Sequence, residues 1–222
     1  MKLIIFSLTL FIFSYSETNG QSLISKGPTY NSPIQIDSSD FYIIPKVVDK
    51  SNVNDYSQDF RNYGALVITD IIIYNSKTNT KKNLFSKQRS FVYPIIGGFE
   101  LGVTTIYPPL SGLSNSYKTS LILPDKLLFV TVTADLNKNG LISEEDGISI
   151  YISEKNGDNL RQITPPNMNL SGLTLSKDFK TLFVLLQNDS NNDKSFKNEQ
   201  ETLYQVNLNE EISKITLLKI VL

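Results

Sequence analysis

The stretch with the densest chemistry in this chain is DLNKNGLISEED, Asp135 to Asp146. Counted from Asp135, side-chain oxygens fall at positions 1, 3 and 5 (Asp135, Asn137, Asn139) and a glycine at 6 (Gly140). The carbonyl of Leu141 stands at 7 and the carboxylate of Asp146 at 12. That is the spacing of a calcium loop. A hard cation takes about six to eight oxygens, alternate residues of a tight coil point inward, and glycine reaches positive φ at little cost. Two amides in place of carboxylates, and an Asp at the last position, predict a weak structural Ca2+ site, with affinity of ~0.1 to 1 mM. The same residues also suit an ion-free Asx-rich turn with a left-handed glycine.

A second loop, DSNNDKSFKNEQE from Asp189 to Glu201, repeats part of the pattern. Asp189, Asn191 and Asp193 hold positions 1, 3 and 5, but Lys194 stands where glycine belongs and Gln200 holds position 12, between Glu199 and Glu201. These residues are the weaker ligand set. An ion-free turn is expected here, with Lys194 as a built-in cation among the carboxylates.

Composition narrows the remaining chemistry. The chain has no His and no Cys. A Ser-His-Asp triad, a Cys-His pair, a thiolate or imidazole metal site, a disulfide and a lipid-bearing cysteine are all excluded. Only carboxylates remain for acid–base work. Glu144 and Glu145 adjoin Asp146 on one loop, whereas a glycosidase needs two carboxylates facing each other across a sugar, ~5 to 9.5 Å apart. The expectation is therefore an exported non-catalytic binding or scaffolding protein. The alternative is a carboxylate-dependent carbohydrate-active enzyme that uses the Gly/Pro/Ser-rich segment 87–116 as part of a cleft. A net charge of −1 with interspersed signs leaves no electrostatic footprint for nucleic acid. Lys77 to Lys82 reads as a solvated turn, and Tyr93 and Tyr107 read as packing residues.

The first loop lies between LLFVTVTA and GISIYIS, two runs of strand character, so it sits within a β-hairpin rather than an EF-hand. Similar runs recur: FYIIPKVV, ALVITDIIIY, SLIL and TLFVLLQ, with a polar loop from Asp49 to Tyr63 after the first. Helical periodicity is absent after the N-terminus, and the chain reads as all-β. LLFVTVTADLNKNG (Leu127 to Gly140) aligns with TLFVLLQNDSNNDK (Thr181 to Lys194), placing Phe129 over Phe183, Val130 over Val184 and Asp135 over Asp189. Downstream, Tyr151 meets Tyr204. Each copy carries four strands in ~50 residues, the size of one propeller blade. A more degenerate copy contains DIIIYNSKTNTKKNLF, so the units run 30–86, 117–165 and 169–219 within one domain, 21–222.

GDNLRQIT (Gly157 to Thr164) followed by LSKDFKTLFV (Leu175 to Val184) resembles the repeat of TolB-type β-propellers. There a Gly-x-Asn-Leu turn leads to a Leu-Thr pair and then a Ser-Pro-Asp-Gly-Lys hairpin before an apolar strand. The resemblance covers Tyr117 to Leu217. It departs at Lys177 and Phe179, where the family has Pro and Gly, which puts the turn type in question. It implies antiparallel four-stranded blades; a β-sandwich is the alternative. About three blades are fewer than a closed propeller uses, so an open arc with exposed edges is expected, open to a protein partner or to self-association.

At the N-terminus, MKLIIFSLTLFIFSYSETNGQ places one Lys before an apolar run from Leu3 to Phe13, the layout of a signal peptide over 1–20. Ser14 and Ser16, or Thr18 and Gly20, are candidate small residues before cleavage. A secreted or periplasmic location follows, with no membrane span in the remainder of the chain.

Overall fold

A computed structural model describes residues 29–49, 55–57, 66–87, 89–96 and 120–221. The signal peptide, Tyr107, most of the 49–63 loop and most of 87–116 lie outside the described residues. No described helix is long and apolar enough to cross a membrane.

The chain is all-β. Its strands are β1 (Thr29–Tyr30), β2 (Ile34–Gln35), β3 (Phe41–Asp49), β4 (Leu66–Asn75), β5 (Thr80–Asn83), β6 (Phe91–Val92), β7 (Ile95–Ile96) and β8 (Ser120–Ile122). They continue as β9 (Lys126–Val132), β10 (Ser149–Glu154), β11 (Arg161–Gln162), β12 (Met168–Leu175), β13 (Thr181–Asn188), β14 (Glu201–Asn207) and β15 (Leu217–Lys219). Three sheets result. The first runs β1-β3-β4-β5 with β2 also on β3, the second β11-β10-β9-β8-β7 with β6 on β9, and the third β12-β13-β14-β15. Pairing is antiparallel except between β7 and β8. The segment read as an insert, described as far as Ile96, supplies β6 and β7 to the second sheet.

The second sheet lies between the other two, and β9 shows why. All seven of its residues are buried. Leu127 and Phe129 join Ile43, Ile71 and Ile73 of the first sheet, while Leu128, Val130 and Val132 join Leu182, Val184 and Leu186 of the third. A strand covered on both faces has no need to alternate, hence the apolar run KLLFV. β13, covered on one face, alternates. Pro45 is tolerated inside β3 because the neighbouring strand is interrupted there: β2 pairs with Ile43 and Tyr42, β1 with Lys46 and Val47. Asn31 N donates to Pro45 O at 2.9 Å, and the proline's missing donor falls where β1 gives way to β2.

All three sheets stack in the same sense. Tyr151 opposes Phe129 and packs toward the first sheet, and Tyr204 opposes Val184 and packs toward the second. Phe129 therefore corresponds to Val184, one residue away from the Phe129–Phe183 alignment expected from the sequence. The last paired residues of the two hairpins agree, since Leu123 donates to Lys126 and Ser176 donates to Thr181. A slip of one residue reverses every side chain, so this correction decides which face is core. In the hairpin before β13, Phe179 takes φ 60 where the TolB-type repeat has glycine.

Side chains tie the sheets together. Lys82 pairs with Asp158 and Lys155 with Asp37, joining the first sheet to the second. Phe85 packs edge-on against Phe129 at 5.7 Å and Tyr151 at 5.4 Å. Between the second and third sheets, Arg161 donates to the carbonyls of Ile212, Ser213 and Ile215 at 2.7–2.8 Å.

Candidate cation-binding loops

The first loop joins β9 to β10 in the middle sheet. The Asp135 carboxylate accepts from the amides of Asn139 (3.1 Å) and Gly140 (2.8 Å). Asn137 Oδ1 accepts from Asn139 N (3.0 Å), and Asn139 Oδ1 accepts from Leu141 N (2.8 Å). Gly140 has φ 87, and a Cβ there would meet nothing within 4 Å, so backbone conformation alone favours glycine. The oxygens at positions 1, 3 and 5 are thus turned into one coil by the loop's own amides, which builds the turn with or without an ion.

Asp146 closes the loop from below. It ends a 3-10 turn, Glu144–Asp146, in a capping box with Ser143. Its carboxylate accepts from Leu136 N (3.0 Å), Asn137 N (3.3 Å), Ser143 N (2.8 Å) and Ser143 Oγ (3.2 Å). Burial nevertheless pushes this carboxyl above its usual range, and the charge of Asp135 adds to the rise. A cation bound between the two would relieve both effects, because each penalises the ionised form. Leu141, whose carbonyl the spacing assigns to position 7, is partly exposed, while Ile142 beside it is buried.

A short segment unmarked in the sequence docks this loop. Ile142 N donates to Asp55 O (2.8 Å), and Ser57 N donates to Ile142 O (2.9 Å). Between them, Tyr56 buries its ring and donates to Ser90 O (3.0 Å); burial pushes its hydroxyl up to about 12. Arg89 reaches Gly140 O at 3.4 Å. Tyr93, expected as packing, is fully buried edge-on to Phe91, and its hydroxyl also donates to Glu144 at 2.5 Å.

The second loop joins β13 to β14 and repeats three of the first loop's four side-chain-to-amide bonds. Lys194 N donates to Asp189 Oδ2 (3.3 Å), Asp193 N to Asn191 Oδ1 (3.0 Å), and Ser195 N to Asp193 Oδ1 (2.8 Å). Lys138 and Asn192 both have φ 58, and Lys194 at φ 65 takes the left-handed place of Gly140. The position-12 rule points to Gln200, but Glu199 does the closing, accepting from Ser190 N (3.3 Å) and Ser190 Oγ (2.9 Å). Lys194 Nζ lies 3.5 Å from Asp189 Oδ2, as the built-in-cation reading requires. Asp189 Oδ1 is buried with no hydrogen-bond partner.

The loops touch. Phe196, at position 8 of the second loop, lies so close to Gly147 that a Cβ there would sit 2.9 Å from its ring. Ile142 holds position 8 in the first loop, and both are buried. Among the described residues no three Asp or Glu side chains converge, so the first loop's donor set is Asp135 and Asp146 plus the two amides and the Leu141 carbonyl.

A separate groove of about 780 Å3 opens between the second and third sheets, lined by Asp125, Glu154 and Glu211 together with Lys126 and Arg161. Its carboxylates already have partners: Asp125 pairs with Lys126, Glu154 accepts from Asn159 at 2.6 Å, and Glu211 pairs with Lys214 at 2.9 Å. No family model matches the chain, and no curated protein matches it.

Proposed function

We propose that this chain is an exported, non-catalytic binding or scaffolding protein made of propeller-type blades, in which Asp135–Asp146 takes Ca2+ weakly and in a structural role. One observation carries the reading: the buried carboxylates serve their own turns. Asp70 accepts from the amides of Ile71 and Phe85 and from Asn83, Asp146 closes the first loop, and Asp189 anchors the second. Carboxylates held in this way brace backbone rather than face a substrate. Sheets of four to six strands stacked in one sense support the blade reading, since neighbouring blades pack face to face. The signal-like N-terminus supports a secreted or periplasmic location, and edge strands such as β12 and β15 offer protein partners a place for strand addition.

The groove with Asp125, Glu154 and Glu211 is where a carbohydrate-active enzyme would have to work. Purified protein should turn over no member of a panel of glycosides, esters and peptides. Turnover that disappears on substituting one of those three carboxylates would establish the enzymatic reading instead.

A further inference from the structure

Each sheet has a forward face, turned toward the next sheet in the chain, and a rear face. The forward face of the first sheet (Ile43, Ile71, Ile73) is covered by the second, and that of the second (Leu128, Val130, Ile150, Ile152) by the third. By the same pairing, the forward face of the third sheet carries Phe183, Leu185, Leu203 and Leu218. No described element joins these four to either core cluster. A repeat that ends a stack needs a polar outer face to stay soluble alone. This one sets those four apolar side chains among Thr174, Gln187, Glu201 and Gln205, a mixed face rather than a polar one.

The chain itself shows what covers such a face. On the fourth strand of the first sheet, Lys82, paired with Ile73, reaches Asp158 in the connection between the third and fourth strands of the next sheet. On the second sheet, Arg161, paired with Ile152, reaches Ile212, Ser213 and Ile215 in the equivalent connection of the third. On the third sheet that position is Leu218, paired with Gln205, and it is 58% exposed. What belongs against it is the rear face of another sheet of this kind.

Among the described residues no other sheet covers the rear face of the first sheet, where Tyr42, Ile44 and Tyr74 are half-buried around the buried Ile72. Lys46 and Lys81 share this rear face, while Glu201 is the charged side chain that the strands of the third sheet present forward. The two ends are complementary in charge as well as in shape class.

We propose that a second copy of this chain seats the rear face of its first sheet on the forward face of the third sheet, and that two copies close a ring of six sheets. Three sheets fall short of the roughly four to eight that close around an axis, and six fall within it. Each contact joins unlike faces, and the two-fold axis runs along the ring.

The mature protein should sediment at twice the mass of one chain. Leu218→Glu, at an exposed position that tolerates charge, and Tyr42→Glu should each yield folded monomers by circular dichroism. Mixing the two variants should restore a complex, since one of the two contacts then has both faces intact. In the cysteine-free chain, Leu218→Cys together with Thr78→Cys, in the turn after β4, should be joined by a short bismaleimide into a two-chain product, and neither single cysteine should be. A monomer at every concentration, assemblies growing beyond two chains, cross-linking of Leu218→Cys to itself, or association indifferent to Tyr42→Glu would each overturn the proposal.

Discussion

The two acidic loops share a backbone path and differ in what fills it. Both use amide-accepting oxygens at positions 1, 3 and 5, a left-handed residue at 6 and a buried apolar residue at 8. In the first loop the left-handed residue is Gly140 and the closing carboxylate, Asp146, is buried under four donors. In the second, Lys194 accepts the strain and places its ammonium near Asp189, and the closing carboxylate, Glu199, is less deeply set. Side-chain-to-backbone hydrogen bonds over two to five residues are enough to set the coil. Whether the coil holds a divalent ion then turns on the charge at position 6 and the burial at the closing position.

The largest expected difference lies at those closing carboxylates. Asp146→Ala removes the partner of buried amides and should destabilise the protein by ~2 to 4 kcal/mol, whereas Glu199→Ala should cost at most ~1 kcal/mol. Denaturant unfolding of both variants measures this, and equal losses would mean that burial does not separate the loops. Next comes calcium itself. About 10 mM Ca2+ against a ~0.3 mM site stabilises the folded state by roughly 2 kcal/mol, a rise of several degrees in Tm over chelator-treated protein. Asp135→Ala should abolish that rise and Asp189→Ala should leave most of it; an unchanged Tm in the wild type would make the first loop an ordinary turn.

A smaller effect is expected at position 6. Lys194→Gly relieves about 1 kcal/mol of left-handed strain and removes the ammonium beside Asp189. The second loop should then gain a calcium response, read as a larger Tm rise than wild type shows; a rise of wild-type size would clear Lys194 of blocking the site. The smallest effect is a pH dependence. Because the folded-state pKa of Asp146 is raised, its contribution to stability is full below its unfolded value near about 4 and fades as pH rises through the folded value. Calcium favours the ionised form and should shrink that loss. Unfolding measured across this range, with Asp146→Ala subtracted, isolates the term, and a loss that calcium leaves unchanged would place the ion away from Asp146.

Much of the first loop was legible because its bonds are local. Asp135, Asn137, Asn139 and Gly140 act on amides two to five residues away, so spacing alone located them. Tyr56 was not legible, because its role is to lie against Ile142 from a distant part of the chain. Lys194 was legible as well. Spacing put it in the place of glycine as a built-in cation, and a left-handed lysine there costs only about 1–2 kcal/mol, which the coil's other bonds offset.

Composition and strand pattern were sufficient for an all-β chain without His or Cys chemistry, because both depend on residue type and short-range periodicity. Strands β3, β4, β8, β9, β10 and β13 stand where β-branched and aromatic runs predicted them. Tertiary structure decided the rest. Identity matching put Phe129 over Phe183, but cross-strand pairing put it over Val184, since Phe129 and Val184 each stand three residues past the hairpin-closing Lys126 and Thr181 and a pleat has period two. Position in the stack, which no strand encodes by itself, buried both faces of β9 and, among the described residues, left Phe183 and Leu185 without a covering sheet. Burial under neighbouring sheets is a property of the assembled layers, and only their packing could assign it.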